Sequence, residues 1–413
     1  MTSAARPAPS GGDAPLRMGF ALAGVLLLAM NLRAGITSVG PVLGDIQHDL
    51  GISGSAASFL ISLPVVGFAI FSPLAPLLAR RIGLEWTLGG ALLVLTGAIV
   101  LRSVPIPGAI WGGTALLGAA VATLNVLIPA LVKREYPHRV GLMTGVYSAA
   151  QSTLAAVAAG LAVPIAGASQ FGWRLSLGVW AGLGLIGFAV FLPTLRRRVR
   201  VPTGSPAAAA PAPRTGPPMW RSALAWQVTL FLGLQSTIYY TVITWWPTIE
   251  RDLGYSSVAA GWHQFAFQCC GIIGSLSAAA LLHRLPSQSA IAAAAAILPI
   301  IGLAGVLLMP QLALLWVALI GLSGGIAITT ALSLFGLRTR DHHQAASLSG
   351  LAQSIGYLLA AAGPVAVGAM HDATGSWKPG LVLVLANACG MLVFGTLAGR
   401  DRFVGETGRP AQR

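Results

Sequence analysis

One arginine stands out because it lies in a long stretch of sequence without any other charge. Arg33 follows the apolar run 18–30, and the next charged residue along the chain is Asp45. If this run crosses a membrane, a guanidinium near its centre costs about 2.5–3.5 kcal/mol. None of the eleven Asp and Glu residues lies well inside an apolar run, so Arg33 has no evident carboxylate partner.

A guanidinium is a permanently charged fork of N–H donors, which suits an anion or a strongly polar acceptor group. We therefore predict that Arg33 binds a ligand. Two other roles stay open: the side chain could extend to the lipid headgroups, or backbone carbonyls and helix ends could hold it as a structural group. Asn31 and Thr37, on the same apolar segment, are included among the candidate binding residues.

The apolar segment 221–246 carries several polar and aromatic side chains. A small-molecule site is typically an apolar wall with a few convergent polar groups, and tyrosine supplies both. We expect Gln235 and Tyr239 or Tyr240 to face the same cavity as Arg33. Trp245 and Trp246, at the end of the segment, are predicted to lie in the aromatic belt at the membrane surface.

Polar side chains occur in further apolar segments. His263 could bind the ligand, relay a proton, or form a hydrogen bond between helices, which contributes only about 0.6 kcal/mol on average. The last alternative applies equally to other candidates, which are Asn125, Tyr147, Gln151, Gln264, Gln353 and Tyr357.

The composition indicates that these residues are positioned inside a membrane. Of the 413 residues, 55% are hydrophobic and 9% are charged, whereas soluble domains have about 25% charged residues. Because a span needs about 20 apolar residues, we predict an all-α integral membrane protein with twelve transmembrane helices. They lie at 17–38, 55–79, 84–103, 109–132, 140–167, 173–195, 221–246, 257–283, 288–309, 311–337, 343–370 and 378–399.

The break at 196–220 divides the spans into two groups of six. It is basic and rich in Pro and Ala, a composition that cannot bury a core. We predict an N-tail (1–16), a six-helix bundle (17–195), this linker, a second six-helix bundle (221–400) and a C-tail (401–413). Residues 18–30 are interpreted as an uncleaved first span, since no small-residue cleavage site follows them.

Lys and Arg are distributed unequally between the two sides of the predicted membrane. With the N-terminus inside, the inner segments carry twenty of the 25 basic residues, and Arg33 lies in the first span. The positive-inside rule then places both termini in the cytoplasm. The net charge of +14 is explained by this topology rather than by nucleic-acid binding. The outer loops carry only Arg102, Arg174, Arg251 and Lys378.

The two halves contain related motifs at a nearly constant offset. Residues 46–53 read IQHDLGIS, and residues 249–256 read IERDLGYS. A parallel repeat of six plus six spans predicts a functional site near the bilayer midplane, between the halves. Further matched pairs are Trp173 and Trp377, His138 and His343, and Gly145 and Gly350.

With six plus six spans and a basic central linker, the chain resembles the major facilitator superfamily. Residues 31–41, NLRAGITSVGP, are similar to the first-helix signature of the cyanate permease and 2-nitroimidazole transporter family. Residues 78–83, LARRIG, and 138–151, HRVGLMTGVYSAAQ, fit the same family. The chain departs from the superfamily at the loop after the second span, where Arg80 replaces the usual Asp and Pro76 the usual Gly. A carboxylate-based gating contact is therefore not expected there.

The resemblance implies a secondary transporter in a bacterial cytoplasmic (inner) membrane, working by alternating access, with spans 1, 4, 7 and 10 lining the cavity. The predicted solute is a small anion or a polar molecule with acceptor groups, bound centrally by Arg33. One alternative is export of a neutral drug-like or nitroaromatic compound, with Arg33 as a polar contact. Another is a receptor or channel with the same fold. Coupling through a co-transported proton or His263, exchange and uniport all stay open.

The sequence carries no pattern typical of an enzyme. We find no P-loop, nucleophile elbow, carboxylate pair or metal-ligand spacing, so we predict neither catalysis nor a bound metal or cofactor. The three cysteines lie in apolar runs and predict no disulfide framework. The expected partners are a small-molecule solute and the lipid bilayer, without nucleic acid, and the protein is expected to be a monomer.

Overall fold

The chain is built from α-helices packed side by side. A computed structural model describes residues 13–52, 54–197, 219–282 and 284–405, and these residues form fifteen α-helices and no strand. The predicted all-α class is therefore confirmed. Residues 1–12 of the predicted N-tail, 198–218 of the predicted linker and 406–413 of the predicted C-tail lie outside the described residues.

Nine helices form the N-terminal bundle. A 3₁₀ turn over Gly40–Val42 joins the first two, and the most extensive packing is between α5 and α6 and between α1 and α7. The helices are α1 (Asp13–Thr37), α2 (Leu43–Leu50), α3 (Gly54–Phe71), α4 (Ala75–Ile82), α5 (Leu84–Ser103), α6 (Ala109–Glu135), α7 (Val140–Gly167), α8 (Trp173–Gly178) and α9 (Trp180–Arg197).

Six helices form the C-terminal bundle, and their packing follows the same scheme. The pairs α10 with α14 and α12 with α13 correspond to α1 with α7 and α5 with α6. The six helices are α10 (Ala223–Asp252), α11 (Ser257–Leu282), α12 (Ser289–Leu308), α13 (Ala313–Leu337), α14 (His342–Thr374) and α15 (Lys378–Ala398).

Twelve helical segments correspond to the predicted spans, and α5 and α7 begin and end at the predicted residues. Three spans differ from the prediction. The second is interrupted between α3 and α4, and the sixth is interrupted at Val179 between α8 and α9. The seventh continues through Pro247 to Asp252, six residues beyond its predicted end.

One of the twelve segments is less apolar than the others. Ten segments of the described chain are long and apolar enough to cross a membrane, and α10 is not among them; in α3 the described stretch Phe59–Phe68 is apolar as well. The interior of α10 carries Gln235, Tyr239 and Tyr240. Such polar groups are tolerated at membrane depth when protein surrounds them, and α10 packs against α14 and α15.

The repeated motifs make equivalent contacts in the two bundles. The indole nitrogen of Trp173 donates to Asp49 Oδ2 (3.2 Å), and that of Trp377 donates to Asp252 Oδ2 (2.6 Å). The glycine two residues after each aspartate, Gly51 or Gly254, has a positive φ, a conformation that glycine adopts without steric cost. The repeat seen in the sequence therefore corresponds to a repeated structural unit.

A second pair of equivalent contacts joins the first and last helices of each bundle. Asn31 Nδ2 of α1 donates to the carbonyl of Leu183 in α9 (3.3 Å). In the C-terminal bundle the donor lies on the opposite helix, and Asn387 Nδ2 of α15 donates to the carbonyl of Leu234 in α10 (2.8 Å). Each side-chain amide therefore forms its hydrogen bond with a backbone carbonyl of its own bundle.

The two bundles meet along a seam at one end of the molecule. We call this the basic end; it contains the helix ends and loops at 72–84, 133–140, 282–289 and 337–342. A Cβ added to Gly145 of α7 would overlap Ala279 of α11, and one added to Gly350 of α14 would lie 2.9 Å from Pro76 Cγ of α4. The backbones can meet here because these positions have no side chain.

Polar and aromatic contacts also cross the seam. Arg80 Nη2 donates to Ser347 Oγ (3.0 Å), so a guanidinium and a hydroxyl meet where the resemblance would suggest a carboxylate. Gln353 Nε2 of α14 donates to the carbonyl of Asn125 in α6 (3.0 Å). Phe68 and Tyr357 pack at 5.3 Å between ring centroids in the middle of the molecule. These contacts hold the basic end closed.

We expect Gly145→Ala to open the basic end, because the added methyl group occupies the space of the Ala279 side chain. Spin labels at the exposed positions 81 and 284, one in each bundle, would report this as longer distances by double electron–electron resonance, with the three native cysteines replaced. Gly160→Ala, in the same helix with open space around it, is the matched control. An unchanged distance distribution in Gly145→Ala would contradict the assigned seam.

Candidate functional site

The side chain of Arg33 lies between the two bundles. It extends from α1 towards Tyr239 and Tyr240 of α10 and Tyr357 of α14, which are close enough to interact with it electrostatically. Tyr147 of α7 lies near Tyr357. The structure therefore places three of the chain's six tyrosines beside a single guanidinium, with a fourth next to one of them.

Packing between aromatic rings fixes the positions of these tyrosines. The rings of Tyr239 and Tyr240 meet edge to face at 5.5 Å, and Tyr239 also lies 5.7 Å from Phe267 of α11. Tyr357 is buried and packs against Phe68 of the opposite bundle. Edge and tilted ring contacts of this kind contribute about 0.5–1.5 kcal/mol each, so the hydroxyls are held by a rigid wall.

The site has a positive charge that no carboxylate among the described residues neutralises. None of the ion pairs among the described residues involves Arg33, and its side chain is only partly buried. A phenol hydroxyl is uncharged near neutral pH, because its ordinary pKa is about 10, and it both donates and accepts a hydrogen bond. An anion or an acceptor-rich group between Arg33 and the tyrosines would thus meet donors on more than one side.

One residue near the site was missed by the sequence prediction. Tyr239 Oη donates to Gln268 Oε1 at 3.5 Å, and Gln268 is exposed on α11. Gln268 follows Gln264 by four residues, a spacing that places both on one helix face. The sequence therefore contained a signal by which Gln268 could have been identified. Both polar atoms of the Gln264 amide are buried without a partner among the described residues.

Gln235 lies inside the C-terminal bundle. Its side chain is buried and Nε2 donates to Ser236 Oγ (2.7 Å). It lines a cavity of about 10 Å³ together with Tyr239 and Phe267, which is the space of a single water molecule. Gln235 thus packs behind Tyr239 and supports it.

Gln353 and Asn125 belong to the closed seam below the tyrosines. Besides the Asn125 carbonyl, Gln353 Nε2 reaches Ser349 Oγ (2.8 Å), and Gln353 is almost fully buried.

Gln151 lies one helical turn after Tyr147, and its buried Oε1 has no partner among the described residues. This orphaned acceptor is a further polar group close to the tyrosine cluster.

Asn31 and Thr37 make structural contacts on either side of Arg33. Asn31 is buried and donates to the carbonyls of Leu27 and Leu183. Thr37 Oγ1 donates to the carbonyls of Arg33 (3.1 Å) and of Ala155 in α7 (3.0 Å). Their donors are used within the N-terminal bundle, which fixes the helix that carries Arg33.

His263 lies in a separate cluster near the far end of α10. Its Nδ1 is 2.7 Å from Glu250 Oε1, which also accepts from the indole nitrogen of Trp246 at 2.7 Å. Glu250 is fully buried, and its second oxygen has no partner among the described residues. The seventh span was predicted to end before Glu250, so this buried carboxylate was missed.

Two further predictions about polar and aromatic residues are wrong. Trp246 is 1% exposed and does not reach the membrane surface, because the helix continues past it. Trp245 is partly buried and donates to the carbonyl of Pro364 (2.8 Å). Arg102, assigned to an outer loop, is buried in the last turn of α5 and donates to the carbonyl of Gly35. Arg33 is therefore not the only arginine inside the helical bundle.

The fold and the sequence identify the family. The sequence matches the family model "Major Facilitator Superfamily" over residues 25–364. The chain belongs to the major facilitator superfamily. Members of this superfamily are transporters and not enzymes, so this protein is a multi-pass membrane transporter of a small solute.

Several bacterial transporters are similar to this chain along nearly their whole length. It is 40% identical to the uncharacterized transporter YycB of Bacillus subtilis (strain 168), with 93% of this chain and 94% of YycB covered. It is 39% identical to the 2-nitroimidazole transporter of Escherichia coli (strain K12), covering 92% and 95%. The cyanate transport protein CynX of the same organism is 24% identical, covering 86% and 90%. The resemblance to the cyanate permease and 2-nitroimidazole transporter family is confirmed.

The fold also matches solved structures of this superfamily. The crystal structure of FucP in the outward conformation has a TM-score of 0.73 and 12% sequence identity, with 93% of this chain and 99% of FucP covered. The twelve-span architecture of two six-span bundles is therefore that of the major facilitator fold.

We expect His263→Ala to destabilise this transporter, because it leaves the buried Glu250 carboxylate with only the Trp246 indole as a partner. Leaving a buried hydrogen-bonding group without its partner costs about 1–3 kcal/mol, which should lower the melting temperature in detergent. His48→Ala, at an exposed position of α2, is the control. An unchanged melting temperature in His263→Ala would show that the pair contributes nothing to folding.

Proposed function

We propose that this transporter moves a small anionic or polar solute, rich in acceptor atoms, by alternating access, with Arg33 as its central binding residue. The observation that supports this proposal is that Arg33 extends from one bundle to Tyr239 and Tyr240 of the other. A solute held between them contacts both bundles at once, as a rocking mechanism requires.

The solutes named for two relatives share the chemistry that Arg33 would recognise. A 2-nitroimidazole carries two acceptor oxygens on a planar nitro group, and cyanate is a small linear anion with acceptors at both ends. A guanidinium fork matches such acceptors with parallel N–H bonds. We infer that the solute of this protein belongs to the same class of small, flat or linear acceptors.

The conformation supports a gated pathway. The bundles are in contact at the basic end, and the contacts reach as far as Phe68 and Tyr357 beside the site. Because the positive-inside rule assigns the basic end to the cytoplasm, we infer that the site is closed towards the cytoplasm here. We further propose that the protein is a monomer in a bacterial cytoplasmic membrane, with both termini inside.

Export of a neutral nitroaromatic compound is the second candidate. It is favoured by the tyrosine side chains beside Arg33, which offer apolar ring surface, and by the 39% identity to the 2-nitroimidazole transporter. In this case Arg33 is a polar contact and not a counter-ion. The two candidates differ in the compounds expected to bind, which are small anions such as cyanate for the first and neutral nitroaromatic compounds for the second.

We expect Arg33→Gln to weaken solute binding strongly while the protein still folds and inserts. Loss of hydrogen bonds from a charged group costs about 1.5–3 kcal/mol, equivalent to about a 10- to 150-fold rise in Kd. Arg33→Lys should lose binding as well, because an ammonium cannot form two parallel bonds. The measurement is ligand-induced thermal stabilisation with cyanate, small aromatic carboxylates and 2-nitroimidazole, followed by counterflow in proteoliposomes with each compound that stabilises the protein.

Arg251→Gln, at an exposed site at the end of α10, is the matched loss of one positive charge. It should leave both signals intact. Retained affinity in Arg33→Gln would remove Arg33 from the binding site, and the absence of counterflow for every stabilising compound would argue against transport of this solute class.

We expect Tyr239→Phe to weaken binding about 2- to 10-fold, because it removes one neutral hydrogen bond worth about 0.5–1.5 kcal/mol. Ring packing against Tyr240 and Phe267 should be kept, so the melting temperature without solute should change little. Tyr255→Phe removes a hydroxyl that donates to the Pro310 carbonyl instead and should leave affinity unchanged. Equal affinities in the two variants would show that the Tyr239 hydroxyl does not contact the solute.

A further inference from the structure

A second cavity lies away from Arg33, between the start of α10 and the chain that follows α15. Its volume is about 200 Å³, and its wall includes Arg221, Gln227, Arg400 and Arg402. The three arginines come from two segments that are far apart in sequence. The fold therefore brings their guanidinium groups to one place at the basic end of the C-terminal bundle.

These guanidinium groups have no acidic partner among the described residues. Arg221, Arg400 and Arg402 are exposed and take part in none of the ion pairs formed there. The acidic residue between the last two, Asp401, instead lies 3.6 Å from Arg338 Nη1. Three like charges around one cavity repel one another, and an anion that enters the cavity relieves this repulsion.

The segment that carries Arg400 and Arg402 is fixed to the bundle. Arg338 Nη2 donates to the carbonyl of Gly399 (2.8 Å) and Nε to that of Ala398 (3.2 Å). The backbone N–H of Val404 in turn donates to the carbonyl of Arg338 (2.9 Å). The cavity wall is thus held from both sides of the two arginines and does not depend on a loose tail.

Two tryptophans place the cavity at the level of the lipid headgroups. Trp220 is 58% exposed and Trp226 is 38% exposed, and exposed tryptophans are enriched where membrane and water meet. The indole nitrogen of Trp226 donates to the Trp220 carbonyl at 2.8 Å, and the Arg221 guanidinium lies 4.9 Å from the ring of Trp220. The aromatic rings and the basic cavity therefore form one surface.

We propose that this cavity binds the phosphate of an anionic phospholipid, with Arg221, Arg400 and Arg402 as its ligands. A phosphodiester has the acceptor oxygens that arginine binds in pairs, and basic pockets beside membrane helices accept such headgroups. Free phosphate shares this chemistry. The two exposed tryptophans favour the lipid, because they offer apolar surface where acyl chains begin. The proposal is independent of the solute that the transporter carries.

The test is native mass spectrometry of the full-length, delipidated protein titrated with phosphatidylglycerol or with phosphatidylcholine of the same acyl chains. We expect one phosphatidylglycerol to bind at least about 10-fold more tightly than phosphatidylcholine, corresponding to about 1.4 kcal/mol. The double variant Arg400→Gln with Arg402→Gln should lose this preference. Arg221→Gln, on the other wall, should weaken it and provides a second, independent variant.

The matched control is Arg81→Gln with Arg284→Gln, which removes two exposed positive charges from the same end but outside the cavity. It should keep the preference for phosphatidylglycerol. Equal loss in both double variants would overturn the proposal, since surface charge alone would then explain binding. Retained preference in Arg400→Gln with Arg402→Gln would also overturn it. Binding of inorganic phosphate without any preference between the two lipids would overturn the lipid assignment.

Discussion

A guanidinium without a carboxylate partner, placed inside a membrane protein, is the constraint on which the arrangement of the site depends. Arg33 cannot be left facing lipid without a large cost, and no ion pair among the described residues neutralises it. Its interactions come instead from neutral tyrosines, mainly on the opposite bundle. The two bundles must therefore approach each other at this residue, and any group that completes its hydrogen bonds does so at their interface.

The fold could be read from the sequence because its signals are long and repeated. The apolar segments, the basic loops and the two DLG motifs each reflect a constraint that acts over many residues. The end of α10 could not be predicted from the sequence in the same way. Pro247 and Glu250 are residues that normally mark a helix end, yet α10 continues past both to Asp252, where tertiary contacts with His263 and Trp377 hold its last turns.

The candidate site was only partly predictable, for a physical reason. Arg33 and the tyrosines stand out by residue type, so composition within a span was enough to find them. The direction of each side chain was not available from composition: Gln235 turns towards Ser236, and Asn31 towards α9. Gln268 could have been found from its four-residue spacing to Gln264, whereas the burial of Arg102 depends on the approach of α1 to α5, which no local pattern records.

The limited hydropathy of α10 has a consequence for the biogenesis of the protein. A helix enters the bilayer from the translocon according to its apolar content, and α10 falls short because it carries the tyrosines and the buried Glu250. The partners of these groups lie on later helices, since Tyr239 packs against Phe267 and Glu250 contacts His263, both on α11, and α10 also packs against α14 and α15. We therefore expect stable insertion of α10 to follow the synthesis of these later helices, so a helix that carries several candidate site residues depends on cooperative assembly of its bundle.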